Sequence, residues 1–132
     1  MTLITFTISG VAVPKARPRA AKIGNRAVIY TPAQTKQFEN YVKLVAAQHA
    51  PKELLTSALD VNLDFLMPRP KSLPLKIKYH TKKPDIDNLA KSVLDALEGI
   101  IYANDAQVIS LEVTKDYGAP LCRVRVEEWD NK

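Results

Sequence analysis

Apolar and polar residues alternate along several stretches of the chain and follow a helical period along two others. From Leu3 to Val13, Ile4, Phe6 and Ile8 fall on one side and Thr5, Thr7 and Ser9 on the other, the pattern of a half-buried strand. A short strand, Arg26 to Tyr30, follows Gly24-Asn25. Leu59, Val61, Leu63 and Phe65 alternate with Asp60, Asn62 and Asp64, a one-sided strand. Val108 to Lys115 and Leu121 to Glu128 read as two further strands, expected as a hairpin turned at Tyr117-Gly118. Thr31-Pro32 offers an N-cap and a first helical proline, predicting a helix to about Ala50 with Phe38, Tyr41, Val42 and Val45 on its apolar face. A second helix, Ile86 to Glu98, carries Ile86, Leu89, Ala90, Val93 and Leu97 on one face and is stopped by Gly99.

Two segments resist regular structure. Pro14 and Pro18 break the stretch 14–25, which reads as an extended basic arm or loop. Residues 67–84 hold Pro68, Pro70, Pro74 and Pro84 and read as a long loop, a length usually kept for function. The order of elements predicts an α+β (mixed α/β) fold: a small mixed sheet, two main helices, a basic N-terminal arm and a long basic loop.

Length and composition narrow the class. The 132 residues predict one domain, 1–132, at roughly 150 residues per domain. Apolar residues make up 46% and charged residues 25%, which excludes disorder as the whole account. No apolar run reaches the roughly 18 residues a membrane span needs, and the opening Met1-Thr2-Leu3-Ile4-Thr5-Phe6 lacks the basic start of a secretory signal. The single cysteine, Cys122, allows no internal disulfide, and no Cys or His cluster suggests a thiolate zinc site. A cytoplasmic protein without a membrane partner is expected.

Charge changes the picture further. The net charge is +5, and it is unevenly placed. Lys15, Arg17, Arg19, Lys22 and Arg26 precede the first acidic residue, Glu39. The acid-free stretch from Met67 to Pro84 holds Arg69, Lys71, Lys76, Lys78, Lys82 and Lys83. Eleven of the 19 basic residues therefore lie in two uncompensated patches, which attract polyanions and nucleic acid first among them. A merely solvated surface is the plainer alternative.

Candidate chemistry lies in Lys83-Pro84-Asp85-Ile86-Asp87-Asn88-Leu89. Aspartates at a helix start commonly cap free N–H groups and suit the dipole, which accounts for one of Asp85 and Asp87 more easily than for both. At 100° per residue, Asp87, Lys91, Asp95 and Glu98 fall within roughly 80° of one another, and Asp87 with Lys91 is a possible i,i+4 pair. Two carboxylates separated by one residue also suit one hard cation such as Mg²⁺. Asp105, on a polar turn, is a candidate third ligand. The helix is about 18 Å long, and residues 99–105 can span about 20 Å, so the return to its start is feasible within one chain. A partner subunit supplying Asp105 is the alternative. An EF-hand is excluded because Leu89 and Ala90 stand where an oxygen ligand and a glycine belong. An aspartyl-phosphate-forming phosphatase would want an apolar strand before the pair, where Lys78 to Pro84 stand.

Lys83 to Leu89, Lys91, Asp95-Ala96-Leu97, Gly99, Asp105-Ala106-Gln107-Val108 and Lys115 together resemble the signature of the RusA family of Holliday-junction resolvases. The opening Gly10 to Arg19 and Tyr30-Thr31-Pro32 are similar to that family's start, so the resemblance covers about residues 6–126. It implies a homodimeric, Mg²⁺-dependent endodeoxyribonuclease (Mn²⁺ a possible substitute) that resolves four-way DNA junctions by paired symmetric nicks in recombination and repair. It assigns Asp85, Asp87 and Asp105 as metal-binding acids and Lys91 as the catalytic lysine. One departure stands out: many relatives carry two consecutive acids where this chain has Asn104-Asp105.

Metal held by the three acids would polarise the scissile phosphate and activate water, with Lys91 set against the developing charge. Lys15, Arg17, Arg19, Lys22 and Arg26, with the loop from Arg69 to Lys83, would grip phosphates without reading bases. Asp95 and Glu98 read as solvated more readily than as supporting groups. His80 reads as incidental, and Cys122 as a small buried apolar residue. Two competing readings remain at this point: a non-catalytic nucleic-acid-binding module, and a metal phosphohydrolase for small phosphorylated substrates.

Overall fold

The computed structural model describes residues 2–30 and 32–129. Its elements are β1 (Leu3–Ser9), β2 (Arg19–Ile23), β3 (Arg26–Tyr30), α1 (Ala33–Ala47), β4 (Leu59–Met67), α2 (Ile86–Leu97), a 3₁₀ turn (Asp105–Gln107), β5 (Val108–Tyr117) and β6 (Leu121–Glu128). The fold is α+β, as the residue pattern predicts. A four-stranded mixed sheet of order β1-β6-β4-β5 carries both helices on one face. Among the described residues no helix is long and apolar enough to cross a membrane.

Alternation does what it promises in β4, where Leu59, Val61, Leu63, Phe65 and Met67 are all buried. Register carries this apolar face across the sheet: Phe6 lies opposite Val124, Val124 opposite Leu63, and Leu63 opposite Val113. Phe38, Val42 and Ala46 of α1 and Leu89, Ala90, Val93, Ala96 and Leu97 of α2 close the core over that face. The opposite face is polar, and there Thr114 donates to Asp64 at 2.7 Å.

Four expectations need correction. β5 and β6 do not form a hairpin, because β4 lies between them: β4 pairs in parallel with β5 and antiparallel with β6. Residues 118–120 instead cross the end of β4, where Gly118 donates to the Met67 carbonyl at 2.9 Å. A Cβ at Gly118 would meet Leu66 Cδ1 at 3.3 Å, so the close crossing favours glycine. The stretch 14–25 is not arm throughout, since β2 pairs with β3 around a Gly24-Asn25 turn in which Gly24 has φ +63°. Helix α1 begins one residue late, with Pro32 at the N-cap position, and ends at Ala47. Thr31, the expected cap, lies outside the described residues. Tyr41, placed on the apolar face of α1, is exposed, and Thr35 and Ala46 take the buried positions instead.

Candidate active site

Helix α2 sets the site because all of its apolar face beyond Ile86 is used. Leu89, Val93, Ala96 and Leu97 are completely buried, which turns Asp87, Lys91 and the half-buried Asp95 toward solvent. Ile86, expected among the buried residues, is exposed at the helix start and lines the same opening as Asp87. Asp85 occupies the N-cap position with extended backbone, yet its side chain makes no capping hydrogen bond. Among the described residues Asp87 accepts only from the N–H of Asn88, at 2.9 Å. The capping explanation therefore fails for Asp85.

Asp105 returns to this helix through a folded connection. Gly99 adopts φ +84°, and Ile101 N–H bonds the Leu97 carbonyl at 2.9 Å, turning the chain back on itself. Tyr102 is then fully buried, and its hydroxyl donates to the Leu94 carbonyl at 2.7 Å. Burial and the charges of Asp105, Glu98 and Asp95 push that hydroxyl's pKa far above the ordinary tyrosine range. Asn104 opens the next turn with a reciprocal cap: its side chain accepts from Ala106 N–H at 2.8 Å, and Gln107 accepts from Asn104 N–H at 2.7 Å. The amide of Gln107 also donates to the carbonyls of Leu55 and Ser57, each at 2.9 Å. Asn104 thus has a structural task here, and Asp105 beside it is left uncommitted.

The result is a cavity of about 490 Å³ lined by Asp87, Lys91, Asp95 and Asp105 over an apolar floor of Ala90, Leu94, Leu111 and Val113. Asp85 does not line this cavity; it lines a separate one with Lys15, Lys83 and Asn88. Among the described residues no three Asp, Glu, His or Cys side chains form a ready cage for a metal. The donor set still fits Mg²⁺, which takes one or two carboxylates and completes its shell with water and substrate phosphate. Asp87 and Asp105 face one space, are hard oxygen donors, and make no ion pair among the described residues.

Lys15 and Asp95 have partners that sequence reasoning did not foresee. Lys15 Nζ lies 2.6 Å from Glu39 Oε1 and 3.1 Å from Asp95 Oδ2, so its charge is matched within the protein. Burial opposes the charged form, but the hydrogen bonds and charges of Glu39 and Asp95 more than offset it and raise the lysine's pKa above its ordinary value. Lys91 pairs with Asp95, at 3.5 Å, instead of with Asp87. The i,i+4 spacing of Lys91 and Asp95 was a visible signal; the tertiary partners of Lys15 gave none. Glu98 is exposed at the helix end.

Of the other basic residues, Arg17, Lys22, Arg26, Lys71, Lys76, Lys78, Lys82 and Lys83 are exposed. Arg19 lies in β2, and its side chain is outside the described part. Arg69 donates to the Pro74 carbonyl at 2.7 Å and lies 5.3 Å over the Tyr117 ring, giving the basic loop a fixed base. His80 packs against the same tyrosine, with ring centroids 4.7 Å apart, and lines a different cavity from the carboxylates. Lys115 Nζ donates to the carbonyls of Lys82 and Pro84 at 2.8 and 2.9 Å, pinning the loop where it enters Asp85.

The family model described as endodeoxyribonuclease RusA matches residues 9–127, nearly the whole chain and all of these side chains. The chain belongs to the RusA endodeoxyribonuclease family. It is also similar to the "Uncharacterized protein YqaN" of Bacillus subtilis (strain 168), 36% identical over 139 residues that cover 97% of this chain and 98% of that protein. RusA membership makes deoxyribonucleic acid the expected substrate.

Proposed function

We propose that this chain is a Mg²⁺-dependent, structure-selective endodeoxyribonuclease that acts as a homodimer and resolves four-way junctions by paired symmetric nicks in recombination and repair. The observation that carries the reading is the shared cavity of Asp87, Lys91 and Asp105, backed by family membership. Asp87 and Asp105 would hold the cation, with Asp85, one residue before the helix, as the third acid; Mn²⁺ is a substitute for Mg²⁺ in this reading. When bound, the ion neutralises phosphate charge and lowers the pKa of a water molecule.

The chain's own residues do the rest. The positive N-terminal end of α2 gives the scissile phosphate a helix end to approach. Lys91 brings an ammonium to the rim of the same cavity, where it opposes charge accumulating on the phosphoryl oxygens. Leu94, Leu111 and Val113 form an apolar floor that limits water around those charges. The exposed lysines of residues 71–83, with Arg17, Lys22 and Arg26, take the flanking phosphates. A two-fold dimer presents two such cavities to a two-fold junction, and exposed Ile109 on the edge strand β5, outside the cavity lining, offers an apolar contact for it to cover.

The deciding experiment uses a labelled four-way junction with Mg²⁺, repeated with Asp87→Asn. Paired nicks that vanish in the variant while junction binding persists are expected. Binding without nicks under Mg²⁺ or Mn²⁺ would instead make the chain a non-catalytic DNA-binding module. Turnover of small phosphate esters without junction affinity would make it a phosphohydrolase.

A further inference from the structure

Four charged side chains stand in line from α1 to the cavity: Glu39, Lys15, Asp95 and Lys91. Lys15 is held from both sides, 2.6 Å from Glu39 and 3.1 Å from Asp95, and the three are mostly buried, with side-chain exposures of 22%, 15% and 23% for Lys15, Glu39 and Asp95. The backbone beneath Lys15 is equally fixed. Lys15 N–H donates to the Asn88 carbonyl at 2.8 Å, and Thr35 Oγ1 donates to the Pro14 carbonyl at 3.2 Å. One oxygen of Asp95 is therefore committed to a rigid ammonium, while Oδ1 is presented to Lys91 at 3.5 Å. Lys91 itself is 60% exposed and only loosely held.

An ordinary i,i+4 pair on a helix surface would leave this carboxylate free to rotate and would hold the lysine only weakly. The lock from Lys15 distinguishes the present case. Lys91 stands four residues after Asp87 and four before Asp95, so it has two carboxylates within helical reach. Its ion pair is with Asp95, and Asp87 makes none among the described residues. The line is also electrically balanced, two negative and two positive groups, which leaves the charges of Asp87 and Asp105 uncancelled.

We infer that Asp95 is a positioning residue for Lys91, and that Lys15, clamped by Glu39, is what fixes Asp95. Resting on the nuclease reading above, this assigns the N-terminal arm a part in the active site: Lys15 braces the catalytic lysine instead of gripping DNA. Asp95 holds the Lys91 ammonium at the cavity rim and away from Asp87 until a phosphate arrives to take it.

The test compares Asp95→Asn, Lys15→Met, Lys15→Arg, Lys91→Ala and the double variant Asp95→Asn/Lys91→Ala in the full-length chain. Each is measured for junction affinity with Ca²⁺ in place of Mg²⁺, and for single-turnover nicking with Mg²⁺. Asp95→Asn should slow nicking by roughly 30- to 100-fold, the scale of a charged group misplaced by about an ångström, with junction affinity within about 3-fold. Lys15→Met should follow in the same direction, and Lys15→Arg should recover most of the rate because it restores the charge. The double variant should be no slower than Lys91→Ala alone, since Asp95 acts through Lys91. Additive losses, or a normal rate in Asp95→Asn, would overturn the inference, as would a loss confined to junction affinity.

A readout independent of cleavage keeps the two levels apart. In ¹³C-dimethylated protein the Lys91 methyl resonance should move on Asp95→Asn and on Lys15→Met. If the unaltered chain nicks nothing but that resonance responds, the functional reading falls and the brace stands. If the resonance is indifferent to both substitutions, the brace falls. Should Asp95→Asn fail to fold, the Lys15→Met and Lys15→Arg pair decides by the same criteria.

Discussion

The Tyr102 hydroxyl donates to the Leu94 carbonyl across 2.7 Å, tying the segment that leads to Asp105 onto the helix that carries Asp87, Lys91 and Asp95. Residues far apart in the chain thus share one cavity because a buried phenol reaches back to the helix. Tyr102→Phe removes this bond while keeping the ring. It should cost about 1 kcal/mol in urea unfolding, and the nicking rate should fall further than that loss of stability explains, because Asp105 loses its tether. An unchanged rate together with an unchanged unfolding midpoint would show the tether to be idle.

Asp85 offers a separation of stability from chemistry. A capping aspartate replaced by alanine costs about 1 kcal/mol. Its side chain caps nothing here, so Asp85→Ala should leave the unfolding midpoint nearly unchanged while reducing nicking by roughly 100-fold or more, as loss of charge-handling groups does. Calorimetry and a junction assay on the same preparation would check both halves.

Binding should be strongly salt-dependent if exposed lysines hold phosphates. The log–log slope of junction affinity against salt should become shallower by about 0.9 for each phosphate that a substitution leaves without its cation, so Lys76→Gln and Lys78→Gln together should change it by about 2. Lys15→Gln should leave the slope alone, since that ammonium already faces Glu39 and Asp95.

Alkaline pH should weaken the fold through Cys122. Burial, with a smaller contribution from the charge of Asp64, pushes its thiol from 9.0 up to about 12. Between those values the unfolded chain has released the proton and the folded chain keeps it. Stability therefore falls with rising pH across that window, by up to roughly 1.4 kcal/mol per pH unit for this group. Below pH 9 the contribution is intact. Cys122→Ala should flatten the decline seen in urea melts from about pH 9 to about pH 11.

Local signals were legible where one residue type and one period decide the outcome. Alternation gave β4 and the first half of the segment 3–13 as β1, and the apolar stripe with Gly99 gave α2. Pairing between strands was not legible in this way. Val108 to Lys115 and Leu121 to Glu128 are close in sequence and alternate as a hairpin would, but β4, whose apolar face is buried along its whole length, takes the place between them. The strand β2 was hidden by Pro14 and Pro18, which end before it begins. Within the site, Asp85, Asp87, Lys91 and Asp105 stood out by spacing and by resemblance. The tie of Lys15 to Glu39 and Asp95 joins three separate elements, and no local period encodes it.

The sheet order has a consequence for how the molecule is made. Among the described residues the first strand, β1, pairs only with the last, β6, and Thr2 and Glu128 meet through a backbone bond of 3.0 Å. During synthesis β1 must wait without its neighbour until β6 has left the ribosome, so the sheet closes only after both helices and every other strand have emerged. The same adjacency invites a circular permutant, with Thr2 and Glu128 joined through a short bridge and new ends opened in the exposed stretch around Leu75.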